Sequence, residues 1–257
     1  MFEALEKGIG TMSFTINRQH YEIFTEIANE TGWPAARKPR SWAQGVGAEE
    51  RFLVDLKDEK VNRAYLTNLC ADSSVSPESC FLSIMAWGGM KYDHGQIAWK
   101  LRENWSIIVT AIREGRLSRE EAYERFHQFR KKHPRCGFGP AYWTKLIFFA
   151  SPKHDGYIMD QWTSVSINLL LQNYSKPIVD LSSGNSRGQT YHHVTDRNDA
   201  TVFETFCSGV EHLARQSDLQ HRLAINTPED VEMRMFSFGG KRPGAWRRYV
   251  KQTPQPT

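Results

Sequence analysis

The sequence predicts an all-α fold, and two observations carry this prediction. Apolar residues recur every three or four positions through most of the 257 residues, whereas the alternating runs typical of strands are scarce. Helix start signals are also frequent. Ser76 and Thr227 each stand directly before a proline, and Ser118 with Glu121 forms a capping box. We therefore expect a compact helical protein.

These signals define nine helices. Clear apolar stripes run from Ile97 to Ile112, before Gly115, and from Val202 to Leu213. The remaining boundaries follow from capping residues, prolines and glycines. In chain order the expected helices are 18–30, 48–70, 77–87, 96–114, 119–132, 140–150, 161–173, 196–216 and 228–237. The longest stretch without a helical pattern, 176–195, is either a mobile loop near a site or a connector.

Length and composition are typical of one soluble globular domain covering 1–257. Helices within 1–90 could fold back as part of a second lobe, with a cleft between the lobes. No run of roughly 18 apolar residues predicts a membrane span, and the N-terminal segment lacks the features of a secretory signal. The four cysteines form no CxxC pair. We expect a cytoplasmic monomer with reduced thiols and no bound metal.

The net charge is only +4, but positive charge is concentrated in three segments. Their basic residues are Arg37, Lys38 and Arg40; Arg130, Lys131, Lys132, His133 and Arg135; and Lys241, Arg242, Arg247, Arg248 and Lys251. Such clusters suit phosphate contacts, which dominate affinity for nucleic acids. Each cluster is equally compatible with a solvated face of the protein.

A glycine-rich turn stands between two of the expected helices. Arg135 precedes Gly137, Phe138 and Gly139, and Pro140 opens the next helix. Glycines let the backbone approach a partner closely, and the free amides at a helix start favour phosphate. The turn is therefore a candidate phosphate site, although an ordinary corner between helices has the same pattern.

Asp160 is the candidate catalytic carboxylate. It follows the apolar triplet at 157–159, and a short loop returns it beside the glycine turn. An aspartate is also a favoured helix N-cap, which would explain the residue completely. The two roles are compatible.

The order of these features resembles the helix-hairpin-helix DNA glycosylases, in particular the 8-oxoguanine glycosylase-like branch. The resemblance covers about 118–172, where a helix, a Gly-x-Gly hairpin, a second helix and an aspartate follow one another. It implies that Asp160 is catalytic. It further implies that the hairpin binds double-stranded DNA and that hairpin carbonyls could hold a monovalent cation; the implied DNA-binding residues are Arg135, Gly137, Phe138, Gly139 and Ala141.

One departure from the family bears on mechanism. Bifunctional members carry a lysine two residues beyond the second hairpin glycine, where this chain has Ala141. The resemblance therefore implies a monofunctional enzyme in which water attacks the sugar. Lys145, one helical turn later, is the alternative nucleophile of a glycosylase with lyase activity. A structural or phosphate-binding lysine is the other interpretation of Lys145.

The expected substrate is a modified base that is flipped out of the duplex. Trp87, Trp143, Lys145 and Trp162 are candidates for the base pocket, with burial in the core as the alternative for each tryptophan. The small Ala141 suggests room for a bulky or hypermodified base, as in phage DNA, beside the alternative of an oxidised purine. A non-catalytic DNA-binding protein and a helical scaffold stay open. His192 and His193 match no metal-ligand pattern and are expected to lie in a loop.

Overall fold

A computed structural model describes residues 14–30, 36–172, 176–186, 189–237 and 243–254. Over these ranges the fold is all-α, as the periodicity predicts, with thirteen α-helices and two small two-stranded sheets. The helices are α1 Arg18–Ile27, α2 Pro39–Val46, α3 Arg63–Ala71, α4 Pro77–Trp87, α5 Tyr92–Lys100, α6 Arg102–Arg113, α7 Arg119–Lys132, α8 Pro140–Ala150, α9 Gln161–Leu170, α10 Ala200–Ala214, α11 Ser217–Leu223, α12 Pro228–Phe236 and α13 Ala245–Gln252.

Two antiparallel strand pairs accompany the helices. The short strands β1 Thr15–Ile16 and β2 Leu171–Gln172 pair at the end of α9. Strands β3 Leu181–Ser186 and β4 Gln189–Val194 form a hairpin between α9 and α10. The expectation of an irregular 176–195 segment is therefore wrong for much of its length. The alternation in this segment is weak because most of its residues are polar on both faces.

The expected helix 48–70 is also wrong. Helix α2 ends at Gly47, whose φ of +83° is left-handed. A single turn of 3-10 helix at Glu50–Phe52 follows, and α3 begins only after Asn62, whose side chain caps the Tyr65 amide. Between them Leu53, Leu56 and Val61 are buried in the core without belonging to a helix. The spacing of apolar residues alone does not distinguish a helix from an irregular segment that is buried in the core.

The expected helix 96–114 is two helices that meet at Leu101. In a continuous helix the Ala98 carbonyl would accept from the Arg102 amide. Here it accepts from the Leu101 amide (3.1 Å) and from Nε1 of Trp105 (2.8 Å). The indole thus competes for a carbonyl of the helix and marks the break. The two halves keep one apolar stripe, which is why the sequence suggests a single helix.

The sequence does not predict the three short helices α2, α11 and α13, which share the lack of a capping side chain at the start, although α2 begins with Pro39. Helix α13 lies within the basic C-terminal segment. Lys241 and Arg242 of that segment are outside the described residues. The expected helix 196–216 begins at Ala200, because the Asp199 side chain caps the Val202 amide. No helix in the described ranges has the length and apolar character needed to cross a membrane.

Helices α8 and α9 lie at the centre of the protein. Every residue from Trp143 to Ala150 in α8 and from Thr163 to Leu170 in α9 is buried. Other helices pack around these two, including α3, α4, α6, α7, α10 and α12. The buried apolar side chains form one continuous core. A helix surrounded on all sides is held firmly in position. The starts of α8 and α9 are therefore rigid supports for the residues that precede them.

Candidate active site

An open cavity of about 810 Å³ lies where the starts of α8 and α9 meet. One wall is the glycine turn before α8, from Gly137 to Tyr142. A second wall comprises Asp160 and Gln161, and a third is formed by β4. Lys91, His94 and Ile97 complete the rim near α5. The structure thus brings the predicted hairpin and the predicted carboxylate into one cavity.

Asp160 is the N-cap of α9 and also lines this cavity. Its Oδ1 accepts hydrogen bonds from the amides of Trp162 (2.8 Å) and Thr163 (3.2 Å). In return the Asp160 amide donates to Oγ1 of Thr163 (3.0 Å). Among the described residues, hydrogen bonds engage Oδ1 and none engages Oδ2. One oxygen therefore holds the helix start, and the carboxylate is fixed at the cavity wall.

The two glycines of the turn have different structural roles. Gly137 has a φ of +84°, and a Cβ at this position would lie 2.2 Å from the His94 carbonyl oxygen. Gly137 is therefore required for packing against α5, and it also lines the cavity. Gly139 is extended, and its added Cβ would meet nothing closer than Asp196 Oδ1 at 3.7 Å. Both glycines line the cavity, but only at Gly139 would an added side chain find open space.

Other residues of the turn divide between the core and the surface. The Phe138 ring is buried and packs edge-on against Phe81 and Phe126, so it anchors the turn, and the residue also lines the cavity. Arg135 is exposed on the rim, and Ala141 lies on the wall in the first turn of α8. The side chain of Arg135 and the backbone of the turn are the parts that an incoming ligand can reach.

The carbonyls of the turn differ in whether they are available for the monovalent cation that the resemblance implies. The His133 carbonyl accepts from the Cys136 amide, and the Phe138 carbonyl accepts from the Cys136 thiol (3.1 Å). The Gly139 carbonyl accepts from two amides of α8. The carbonyls of Arg135, Cys136 and Gly137 accept no hydrogen bond among the described residues, so these oxygens are the ones that would hold such a cation.

Lys145 lies at the base of the cavity and is almost completely buried. Its Nζ donates to the Ala141 carbonyl (2.6 Å), and burial lowers the pKa of the amine although the Asp160 and Glu232 carboxylates oppose this shift. Gly88 makes room for the side chain, since a Cβ there would lie 3.0 Å from Cδ of Lys145. Gly88 thus allows the close approach of a side chain from α8.

A group of buried charges stands behind the cavity wall. Arg63 pairs with Glu232 at 2.6 Å, and burial raises the pKa of the Glu232 carboxyl to about 7 although Arg63 opposes the shift. Oε1 of Glu232 is buried with no hydrogen-bond partner among the described residues. Arg247 lies over the Trp162 ring and donates to the Phe236 carbonyl; burial lowers its pKa to about 10. These charged residues come from segments far apart in the sequence, so no local motif predicts that they lie together.

Three of the four candidates for the base pocket are not on the cavity wall. Trp87 and Trp143 are completely buried, where Trp87 packs edge-on against Phe149 and Trp143 against Tyr123. Trp162 supports Arg247 and does not line the cavity. Lys145 is the remaining candidate and does line it. The tryptophans therefore take the structural alternative that their apolar surface favours.

The basic clusters are also divided between structure and surface. Arg37 donates to the Met90 carbonyl and lies over the Tyr92 ring, and Arg247 is buried. Arg130 and Arg135 line the cavity, where Arg130 is paired with Asp196 at 3.0 Å. Among the described residues of the three clusters, those that line the cavity therefore come from the cluster before the turn, and Lys91 and Lys145 line it as well.

Sequence reasoning missed several wall residues, namely Lys91, His94, Tyr142, Gln161, His192 and His193. Tyr142 and Gln161 are adjacent to the motif, so their position along the chain was an available signal. The two histidines were expected in a loop and lie instead in β4. No local pattern shows that this strand returns to the start of α9.

An all-α fold that joins a glycine turn, a helix start and a capping aspartate in one cavity defines a protein of the DNA glycosylase-like class. The family model described as "Putative 8-oxoguanine DNA glycosylase OGG-like protein" matches residues 18–236. The chain belongs to this family, as the resemblance predicts. Neither a comparison with curated proteins nor one with solved structures finds a match.

Proposed function

We propose that this protein is a DNA glycosylase that releases a modified base from double-stranded DNA. The observation that carries the proposal is the shared cavity, in which the Asp160 carboxylate lies beside the open start of α8. A base inside a duplex is out of reach of any enzyme group, so the target nucleotide must be extruded into such a cavity. Extrusion costs a few kcal/mol, which contacts with the DNA backbone must offset.

The turn between α7 and α8 is the proposed binding site for the DNA backbone, and it acts as a helix-hairpin-helix motif. The amides of Gly139 and Ala141 precede the first intrahelical hydrogen bonds of α8, where the helix dipole favours an anion. Arg135 adds an exposed cation on the same rim. These groups suit phosphate oxygens, which position a duplex without reading its sequence.

The proposed reaction is hydrolysis of the N-glycosidic bond. As the bond between C1′ and the base breaks, positive charge develops on the sugar, and the Asp160 carboxylate stabilises it. Water adds to C1′ and loses a proton, while the released base takes up a proton. Because one oxygen of Asp160 is fixed by two amides, the carboxylate is already oriented before DNA binds.

The proposed enzyme is monofunctional. Ala141 has no amine, and the amine of Lys145 is held at the base of the cavity by the Ala141 carbonyl. A glycosylase with lyase activity is the alternative, and one observation favours it: Lys145 lines the same cavity as Asp160, and its pKa is lowered, which increases the fraction of neutral, nucleophilic amine.

The proposed substrate is an oxidised purine or a bulky, hypermodified base. A volume of about 810 Å³ lies within the range of roughly 300–1,000 Å³ that accommodates drug-sized ligands, so a substituted base has room. The first substrate would indicate DNA repair, and the second would indicate defence against phage with modified DNA. We propose that the protein acts as a cytoplasmic monomer in either case.

The test is a screen of the purified protein against duplexes that carry different modified bases, read as release of free base. The set includes 8-oxoguanine opposite cytosine and 5-hydroxymethylcytosine opposite guanine, with the unmodified duplex as control. Release from a modified duplex but not from the control is the expected result. Salt-dependent binding without release would instead identify a non-catalytic DNA-binding protein.

A further inference from the structure

The β3–β4 hairpin forms a wall of the cavity that the proposed mechanism does not use. His192, His193 and Val194 of β4 line the cavity on the side of Asp160 and Gln161. In a glycosylase the base extends from C1′, the atom that Asp160 must face. The wall next to Asp160 is therefore the surface that an extruded base would meet.

His192 is held firmly in this wall. Its Nδ1 lies 2.8 Å from Oγ of Ser183, the residue directly opposite on β3, and the side chain is largely buried. When the Gln161 amide is oriented so that its oxygen accepts from Nε1 of Trp162 (3.2 Å), its nitrogen donates to the His192 carbonyl (3.0 Å). Gln161 directly follows Asp160, so the hairpin is tied to the catalytic helix.

The chemistry of His192 suits a base better than a phosphate. Burial, together with the nearby His193, lowers the pKa of His192, so the ring is neutral at neutral pH. A neutral imidazole has one donor and one acceptor nitrogen. Since Nδ1 is paired with Ser183, Nε2 is the ring atom that remains for a ligand. A neutral group in this position offers a directional hydrogen bond and no attraction to the DNA backbone.

We propose that the β3–β4 hairpin reads the extruded base, with Nε2 of His192 hydrogen bonding to the edge of that base. The ligand class is a heteroaromatic base with polar ring or exocyclic atoms. Ser183 is a positioning residue that selects the tautomer and orientation of the ring. This inference rests on the proposed function and adds the element that determines substrate preference.

The experiment compares DNA binding with and without His192→Ala in an Asp160→Asn background, where excision is slow enough for binding to be measured. Four duplexes of one sequence are used, carrying 8-oxoguanine, 5-hydroxymethylcytosine, the unmodified base or a tetrahydrofuran abasic analogue. We expect about tenfold weaker binding of the preferred modified duplex, the effect of one lost hydrogen bond. Binding of the abasic analogue should not change, because it retains the backbone but lacks a base.

Asn185→Ala is the matched control, since Asn185 lies on β3 of the same hairpin, is exposed and does not line the cavity. It should bind all four duplexes like the parent. Ser183→Ala keeps the histidine, and we expect a smaller loss confined to the base-containing duplexes. This variant also tests the inference if His192→Ala does not fold.

Two results would overturn the inference. Equal weakening of binding to all four duplexes would show that His192 contacts the DNA backbone. Unchanged binding by both His192→Ala and Ser183→Ala would show that the hairpin does not recognise the base. The failure of the proposed function is distinguishable from either result. In that case the parent protein itself neither releases a base nor prefers a modified duplex over the control.

Discussion

At the scale of single residues, Asp160 serves as a helix cap and as the proposed catalytic carboxylate, and one substitution separates these roles. Asp160→Asn keeps an oxygen that can accept from the Trp162 and Thr163 amides. We therefore expect little change in Tm and in DNA binding. Base release should fall by about 100- to 1,000-fold, because the charge that stabilises the transition state is lost.

The control for this prediction is Thr163→Val, which removes a hydrogen bond of the same cap and keeps the carboxylate. It should lower Tm while most of the base release persists. Release that survives in Asp160→Asn but is lost in Thr163→Val would show that the helix start matters and the charge does not.

Lys145 provides the second prediction at this scale. If water is the nucleophile, the protein should leave intact abasic strands that break only after alkali treatment. Borohydride should then trap no covalent complex with DNA. Gel analysis of the 8-oxoguanine and 5-hydroxymethylcytosine duplexes measures both products. A trapped complex that disappears in Lys145→Met would assign the nucleophile to Lys145.

At the scale of elements, the two glycines of the turn give opposite predictions. Gly139→Val should fold, because the position is extended and a Cβ has no close neighbour. It should weaken binding to every DNA sequence by about tenfold or more, since the side chain blocks the approach of a phosphate. Gly137→Val should not fold, because its φ is +84° and the His94 carbonyl lies 2.2 Å from the added Cβ.

Circular dichroism and melting separate these two outcomes before any binding measurement. Normal binding by a well-folded Gly139→Val would reduce the turn to a corner between helices. Stable folding of Gly137→Val would show that the contact with α5 is not required.

The predictability of each element follows from the range of the interactions that define it. The starts of α4, α7, α8 and α12 were predicted because their caps and prolines lie within one helical turn. The break between α5 and α6 at Leu101 was not predicted, because it depends on a hydrogen bond from the Trp105 indole to the Ala98 carbonyl. Asp160 and the glycine turn were found as a motif. His192 lies at the cavity because β4 pairs with β3, and no local sequence pattern indicates that pairing.

At the scale of the whole molecule, the buried Glu232 makes stability depend on pH. Its pKa is raised to about 7 from an ordinary value of 4.5, so the folded protein binds more protons than the unfolded chain. This stabilisation is fully present below pH 4.5 and is lost as pH rises through 7. The loss between pH 5 and 8 should be on the order of 2 kcal/mol, or several degrees of Tm.

Melting curves across this range for the parent and for Glu232→Gln measure the effect, and the variant should show the flatter dependence on pH. Glu229→Gln is the control, because Glu229 pairs with the same Arg63 but is partly exposed. A parent protein whose Tm changes with pH no more than that of Glu232→Gln would contradict the assigned direction.

Both described ends of the chain pack on the helix that begins beside Asp160. The Asn17 amide bonds to the Leu170 carbonyl (2.9 Å), and Nε1 of Trp246 donates to Ser166 (2.9 Å). Phe24 packs edge-on against Trp246, so the two ends also meet each other. During synthesis, residues 15–27 must wait for 245–252 before this packing can close. A nascent chain that has not yet released α13 from the ribosome therefore lacks part of the packing around α9, the helix that begins beside Asp160.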